Sequence, residues 1–217
     1  MTWRECKHLL LVLIFALPAA MPALAQQYQG KQLRPRQSQR VVIAASVGMA
    51  IPVGRTGLVD YWLNGVSGKA SFQIFADSYL AFGLSTDIAL LYFDEMAFAQ
   101  RWPGVPLKAK DNLILGNVSF DATYSFFPGY TTRPFVSVQI GAEFISEASY
   151  KQMINGVRYV YYDVGGHTRL ALGLVTGADI QLAYWLNLHT ELKGTFIHND
   201  PDVSMITQAR VGVQYKF

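Results

Sequence analysis

His189 and Glu191 stand two residues apart in "LNLHTELKG", a spacing that places both side chains on one face of an extended strand. An imidazole beside a carboxylate can hold a metal or carry a proton. No third ligand stands near them in the sequence, so a hydrogen bond between the two is the expected use, and no metal site is expected. His198 is followed by Asn199 and Asp200, which supplies a base without the hydroxyl or thiol that covalent catalysis requires. His167 lies near Asp163, again with no serine singled out by spacing. The segment "SEASYKQMINGVRYVYYDVGGHT" carries Tyr150, Arg158, Tyr159, Tyr161 and Tyr162 together with Lys151. Tyr and Arg favour recognition surfaces, so these five are the expected contacts for a ligand or an adhesion partner. The alternative is that the segment merely extends a strand hairpin. No glycine-rich phosphate loop and no paired-cysteine site occurs, and no cofactor is expected.

These residues need a scaffold, and the N-terminus says where it is built. Arg4 and Lys7 precede the apolar run Leu9–Leu17, Pro18 ends it, and "ALA" at Ala23–Ala25 offers small residues for cleavage. That pattern reads as a secretory signal peptide over residues 1–25. The lone cysteine, Cys6, falls within it, so no disulfide is expected to staple the exported chain. Setting aside Arg4, Lys7 and Glu5 takes the 18 basic and 15 acidic residues to 16 and 14. That near balance gives no reason to expect nucleic acid as a partner. Residues 26–40 are polar and basic without periodicity and contain Pro35, as a flexible periplasmic segment would.

The remainder, 41–217, is expected to be one domain. It belongs to a chain that is 51% hydrophobic and only 15% charged, against ~25% charged in ordinary soluble domains. No stretch beyond residue 25 is apolar for long enough to be a spanning helix. What recurs is a period of two. "NVSFDATYSF" sets Val118, Phe120, Ala122, Tyr124 and Phe126 against Asn117, Ser119, Asp121, Thr123 and Ser125. Similar alternation begins at Val41, Lys69, Leu80, Phe135, Arg169, Asn187 and Gln208, giving eight strand segments. Connections alternate between long (52–68, 94–112, 146–167 and a shorter 198–204) and tight (77–79, 127–133, 183–186). The fold class expected is therefore all-β, an up-and-down antiparallel barrel of about eight strands.

Alternation alone does not say which set points inward. The polar set is rich in Gly, Ala and Ser and carries nearly balanced charges, as a crowded interior requires. Asp87, Asp121, Glu143, Arg169, Asp179, Glu191, Lys193 and Arg210 are thus the expected charge network of the lumen, with Lys69 and Lys216 also facing in. Aromatic residues gather at one rim (Tyr79, Phe127, Tyr130, Tyr184, Trp185, Tyr215, Phe217). They gather again near the other (Tyr92, Phe93, Trp102, Tyr150, Tyr159, Tyr161, Tyr162), as two membrane-interface belts would. The apolar set is expected to face lipid.

The closing "QARVGVQYKF" sharpens this reading. Val211, Val213, Tyr215 and Phe217 alternate up to a terminal aromatic, and here the chain resembles the eight-stranded outer-membrane barrels, the OmpA/OmpX-like and opacity-type surface proteins. The resemblance implies that these four residues are the signal read by the barrel assembly machinery. It further implies a monomer in the outer membrane of a Gram-negative bacterium, surrounded by lipid and lipopolysaccharide. The role it implies is non-enzymatic, in surface integrity or adhesion. One rival is a narrow transporter of small apolar molecules, which needs an apolar funnel or a lateral gap. The other is a lipid A-modifying acyl hydrolase or transferase. Deacylases of this architecture place a serine two residues after a histidine, where this chain has Asp200 after His198.

Overall fold

A computed structural model describes residues 41–53, 61–105, 112–154, 157–199 and 202–217, and within these the side chains of 152–157 and 198–204 are not described. The signal segment, residues 26–40 and the side chains of His198, Asn199 and Asp200 therefore lie outside the described residues. Among the described residues there are ten strands: β1 (Val41–Val53), β2 (Trp62–Phe75), β3 (Leu80–Phe93), β4 (Leu113–Ser125), β5 (Thr132–Ile145), β6 (Ala148–Ile154), β7 (Val157–Val164), β8 (His167–Ala183), β9 (Leu186–Asn199) and β10 (Asp202–Lys216). Eight close into an antiparallel barrel in the order β1-β10-β9-β8-β5-β4-β3-β2, while β6 and β7 pair separately as a hairpin inside the connection from β5 to β8. The fold is the eight-stranded up-and-down barrel expected of the alternation.

The chain's last strand closes the ring. β10 pairs with β1 from Val42↔Lys216 to Val53↔Met205, and the Phe217 N–H donates to Val41 O at 2.9 Å. No edge is left open in the barrel wall, which is the condition for a sheet to survive in hydrocarbon.

Orientation follows from exposure. Val47 is 72% exposed and Leu170 60%, whereas Asp121 and Arg210 are 0% and 2% exposed. A water-soluble sheet would invert these values, since leaving each such apolar side chain in water forfeits about 1.5–3 kcal/mol. The outward Thr190 hydroxyl donates back to Ala178 O at 3.1 Å, so it does not meet lipid unpaired. At the turn end the outer rings form a girdle. Tyr79 stacks on Tyr124 at 6.0 Å, Trp185 meets Tyr215 at 5.4 Å, and Tyr215 meets Phe217 at 4.7 Å.

The strands of the barrel run 13–17 residues, more than the roughly 9–11 that a tilted strand needs to cross the hydrocarbon. The surplus rows build the opposite, loop end. There β2 starts at Trp62 rather than near Lys69, because the small residues of "NGVSG" hide a strand whose inward positions are Gly65 and Ser67. The β3–β4 connection carries a short helix, α1 (Glu95–Arg101), whose N-cap Asp94 accepts from Ala97 N. At 2.9 Å that bond satisfies a backbone donor the first helical turn would otherwise leave open.

Candidate functional site

The interior has two layers of opposite chemistry. Nearer the turn end, the inward positions of six strands supply charges that meet across the bore. Lys193 on β9 donates to Asp87 on β3 at 2.7 Å, and β3 and β9 are well separated around the ring in the strand order. Arg210 on β10 bridges Asp87 and Glu191, its Nε lying 2.6 Å from Glu191 Oε1. Lys69 on β2 reaches Glu191 Oε2 at 2.8 Å, and the Ser46 hydroxyl donates to Glu191 Oε1 at 3.2 Å. Arg210 and Lys193 are among the largest fully buried side chains. Charges buried this deeply persist because each faces an opposite charge across a few ångströms.

His189 extends the layer. Its Nδ1 lies 2.7 Å from Asp179 Oδ1 and its Nε2 3.4 Å from Glu191 Oε2, and Arg133 stands 3.7 Å from Asp179. Phe135 stacks on the imidazole at 5.2 Å with 9° between the planes. That stack needs Gly177, where a Cβ would fall 2.0 Å from Thr190 O and 2.7 Å from the Phe135 ring. Each ring nitrogen of His189 is thus directed at a carboxylate. Among the described residues no group of three or more His, Cys, Asp or Glu side chains is placed to hold a metal ion.

Above the charges the interior becomes apolar. Leu91, Leu113, Leu115, Ile145, Ile197 and Ile206 point inward from the upper strand rows, and on them rests a cluster of rings. Phe98 of α1 packs on Phe93 at 5.9 Å and edge-on to Tyr150 and Tyr161 at 5.7 and 6.0 Å. Tyr162 lies 5.3 Å from Phe93 and 5.7 Å from Trp62, and Trp102 Nε1 donates to the Tyr61 hydroxyl at 3.3 Å. Such ring pairs contribute roughly 0.5–1.5 kcal/mol each beyond the area they bury. The helix and the β6–β7 hairpin together form an aromatic plug over the mouth.

Of the charges expected in the lumen, Asp87, Glu191, Lys193 and Arg210 come together, and Asp179 joins through His189. Asp121 and Glu143 stand apart. Asp121 accepts from the Ser85 and Ser119 hydroxyls at 3.0 and 3.3 Å, and Glu143 accepts from Asn117 Nδ2 at 2.8 Å. Arg169 is half-buried, in register with Glu143. Lys69 and Arg133 complete the network. The "LNLHTELKG" spacing singled out His189 as a partner of Glu191, but its bridge to Asp179 comes from strand register (Asp179↔His189).

The tyrosine surface expected on the third long connection is divided. Tyr150, Tyr161 and Tyr162 are buried in the plug, because a register shift at Tyr150/Lys151 breaks the hairpin's alternation and turns adjacent tyrosines to one side. Of the five expected contacts, Arg158 and Tyr159 face outward. The outer aromatic belt is corrected in the same way. Phe93, Trp102, Tyr150, Tyr161 and Tyr162 turn inward, where the rings bury one another and the leucines beneath them, leaving Tyr92 and Tyr159 exposed. Asp163 pairs with Lys151 at 2.7 Å, while His167 Nδ1 contacts the Gly165 carbonyl. Asp163 and His167, close in sequence, thus have different partners.

Comparison with known proteins places the fold. No protein-family model matches the chain, and no curated protein sequence matches it. Among solved structures it is similar to Neisserial surface protein A, with a TM-score of 0.53 at 16% identity over 83% of this chain and 98% of that one. A major outer membrane protein from Thermus thermophilus gives 0.51 at 13% identity, covering 82% and 99% of the two chains. The outer membrane protein OprG from Pseudomonas aeruginosa gives 0.50 at 9% identity, covering 83% and 96%. These likenesses show the outer-membrane barrel fold.

Proposed function

We propose that this chain is a non-enzymatic, non-conducting protein of the Gram-negative outer membrane, serving surface integrity or adhesion. Residues 1–25 act as a cleaved signal peptide, 26–40 remain as a periplasmic lead-in, and 41–217 insert as a monomer among lipid and lipopolysaccharide. The barrel assembly machinery reads Val211, Val213, Tyr215 and Phe217. One observation carries the closed-barrel reading: the bore is crossed at two levels, by ion pairs that run from β3 to β9 and β10 across it and by the aromatic plug above them. A barrel of about eight strands has an interior just wide enough for its own side chains, and here they fill it.

The test reconstitutes the full chain in planar bilayers and, in parallel, compares lipid A from cells with and without the gene by mass spectrometry. The expected result is a silent bilayer and unchanged lipid A. Sustained single-channel conductance would overturn the non-conducting reading, and a changed acyl pattern would establish the enzymatic one.

A further inference from the structure

Between the two layers lies a cavity of about 10 Å³, lined on one side by Asp87, Asn117, Glu143, Lys193 and Gln208 and on the other by Leu115 and Ile206. Its polar rim is drawn from opposing walls. Asn117 is in register with Asp87 and with Glu143, and Gln208 is in register with Lys193. The hydrogen-bonding account of this rim does not close. The Asn117 amide is fixed by its Nδ2 donation to Glu143, which turns its Oδ1 away without a donor. Gln208 Oε1 has none either, and both side chains are more than nine-tenths buried. Lys193 Nζ carries three protons and directs one to Asp87 Oδ2. Two acceptors and an under-used ammonium therefore border one small space. Leaving buried carbonyls unpaired costs roughly 1–3 kcal/mol each.

We propose that this cavity is a binding site for a single water molecule, which accepts a hydrogen bond from Lys193 Nζ and donates to Asn117 Oδ1 and Gln208 Oε1. The volume matches one water, which needs about 10–15 Å³ and two to four polar partners. A bare cation of the same size would satisfy the carbonyls and Glu143, but it would face the Lys193 ammonium across the same few ångströms. Water alone offers donors to the carbonyls and a lone pair to the amine. The apolar rows and the ring cluster lie directly above, so the exchange of this water is controlled by the plug.

The test uses the full chain, isotope-labelled and refolded in phospholipid nanodiscs. Water-selected NOE and ROE spectra are expected to show contacts to the Asn117 side-chain amide, the mark of a water that tumbles with the protein. In Gln208→Leu those contacts should vanish. In Phe98→Ala they should persist with exchange roughly tenfold faster or more, since each tenfold is only a small loosening of the barrier. Absence of the contacts in the unaltered chain would overturn the proposal. So would an anomalous peak beside Glu143 in crystals soaked with thallium(I), which would assign the cavity to a cation. Should Gln208→Leu fail to fold, the wild-type spectrum and the thallium soak decide the matter by themselves.

Discussion

The two layers of the lumen hold the same wall by different physics. In the charged layer a handful of contacts, each specific in distance and angle, tie β3 to β9 and β10 across the bore. Removing one partner strands the other in a medium that cannot hydrate it. In the aromatic layer many rings share the load, and no single contact is indispensable. The charged layer is carried by barrel strands alone, whereas the plug draws on α1 and the β6–β7 hairpin, elements outside the barrel. Damage to the first should therefore spread through the barrel, and damage to the second should stay near the mouth.

The sharpest way to break this comparison is Arg210→Met. It removes the guanidinium shared by Asp87 and Glu191 and should destabilise the folded barrel by about 3–5 kcal/mol, the usual cost of leaving buried carboxylates short of a partner. Urea unfolding in lipid vesicles, followed by tryptophan fluorescence, reads that loss. A loss below about 1 kcal/mol, typical of exposed pairs, would mean the lumen is wet and the layer is not what binds the walls.

Phe98→Ala comes next. Truncating a buried phenylalanine costs about 3–5 kcal/mol where the site cannot collapse, but Phe98 belongs to a seven-residue helix outside the barrel. The loss should therefore appear as faster amide exchange in α1, β6 and β7, with the global unfolding midpoint nearly unmoved and bilayers still silent, because the ion pairs below remain closed. Conductance in this single variant would show that the plug alone seals the bore. Tyr61→Phe is a gentler version. It deletes the acceptor for Trp102 Nε1 and should cost about 0.5–1.5 kcal/mol of local stability by the same exchange measurement.

The difference between the layers also explains what could be read from the sequence. Strict alternation survives wherever the outside is apolar and the inside polar, so "NVSFDATYSF" announces β4 and its charge at Asp121 without ambiguity. At the loop end the inside becomes apolar too. "ALLYF" (89–93) and "LIL" (113–115) lose the period of two, since Leu91, Phe93, Leu113 and Leu115 face in while Tyr92 and Ile114 face out. That loss of contrast was itself the signal for the plug, yet the same pattern also suits a membrane-interface belt. A strand hairpin in this segment was one of the two readings the sequence offered, but the partition of its tyrosines between plug and surface was not legible, because a register shift of one residue decides it and nothing local fixes it. Which charges meet was equally hidden. Asp87 and Lys193 lie 106 residues apart, and only the closure of the ring brings them face to face.

A control for both layers sits at the far rim, where the β2–β3 turn is held by one carboxylate. Asp77 Oδ1 accepts the Tyr79 N–H at 2.6 Å and the Leu80 N–H at 2.8 Å. These bonds, Tyr79's first, hold its pKa below the ordinary value of 3.8. A carboxyl whose folded value is lowered contributes stability that is fully present above its ordinary value and is lost as the pH falls through the lowered one. Asp77→Asn keeps an acceptor oxygen but does not titrate. At pH 7 the unaltered chain should therefore be slightly more stable than Asp77→Asn, and the gap should close at an acid pH below the lowered value. Urea midpoints of the two chains at both pH values measure it, and a gap of constant size would remove the carboxylate's charge from the account. The effect should be the smallest of the series, because the turn is exposed to solvent and touches neither layer. A shift as large as that of Arg210→Met would mean that the turn end and the charged layer unfold as one unit, and the separation of the lumen into independently stabilised zones would fail.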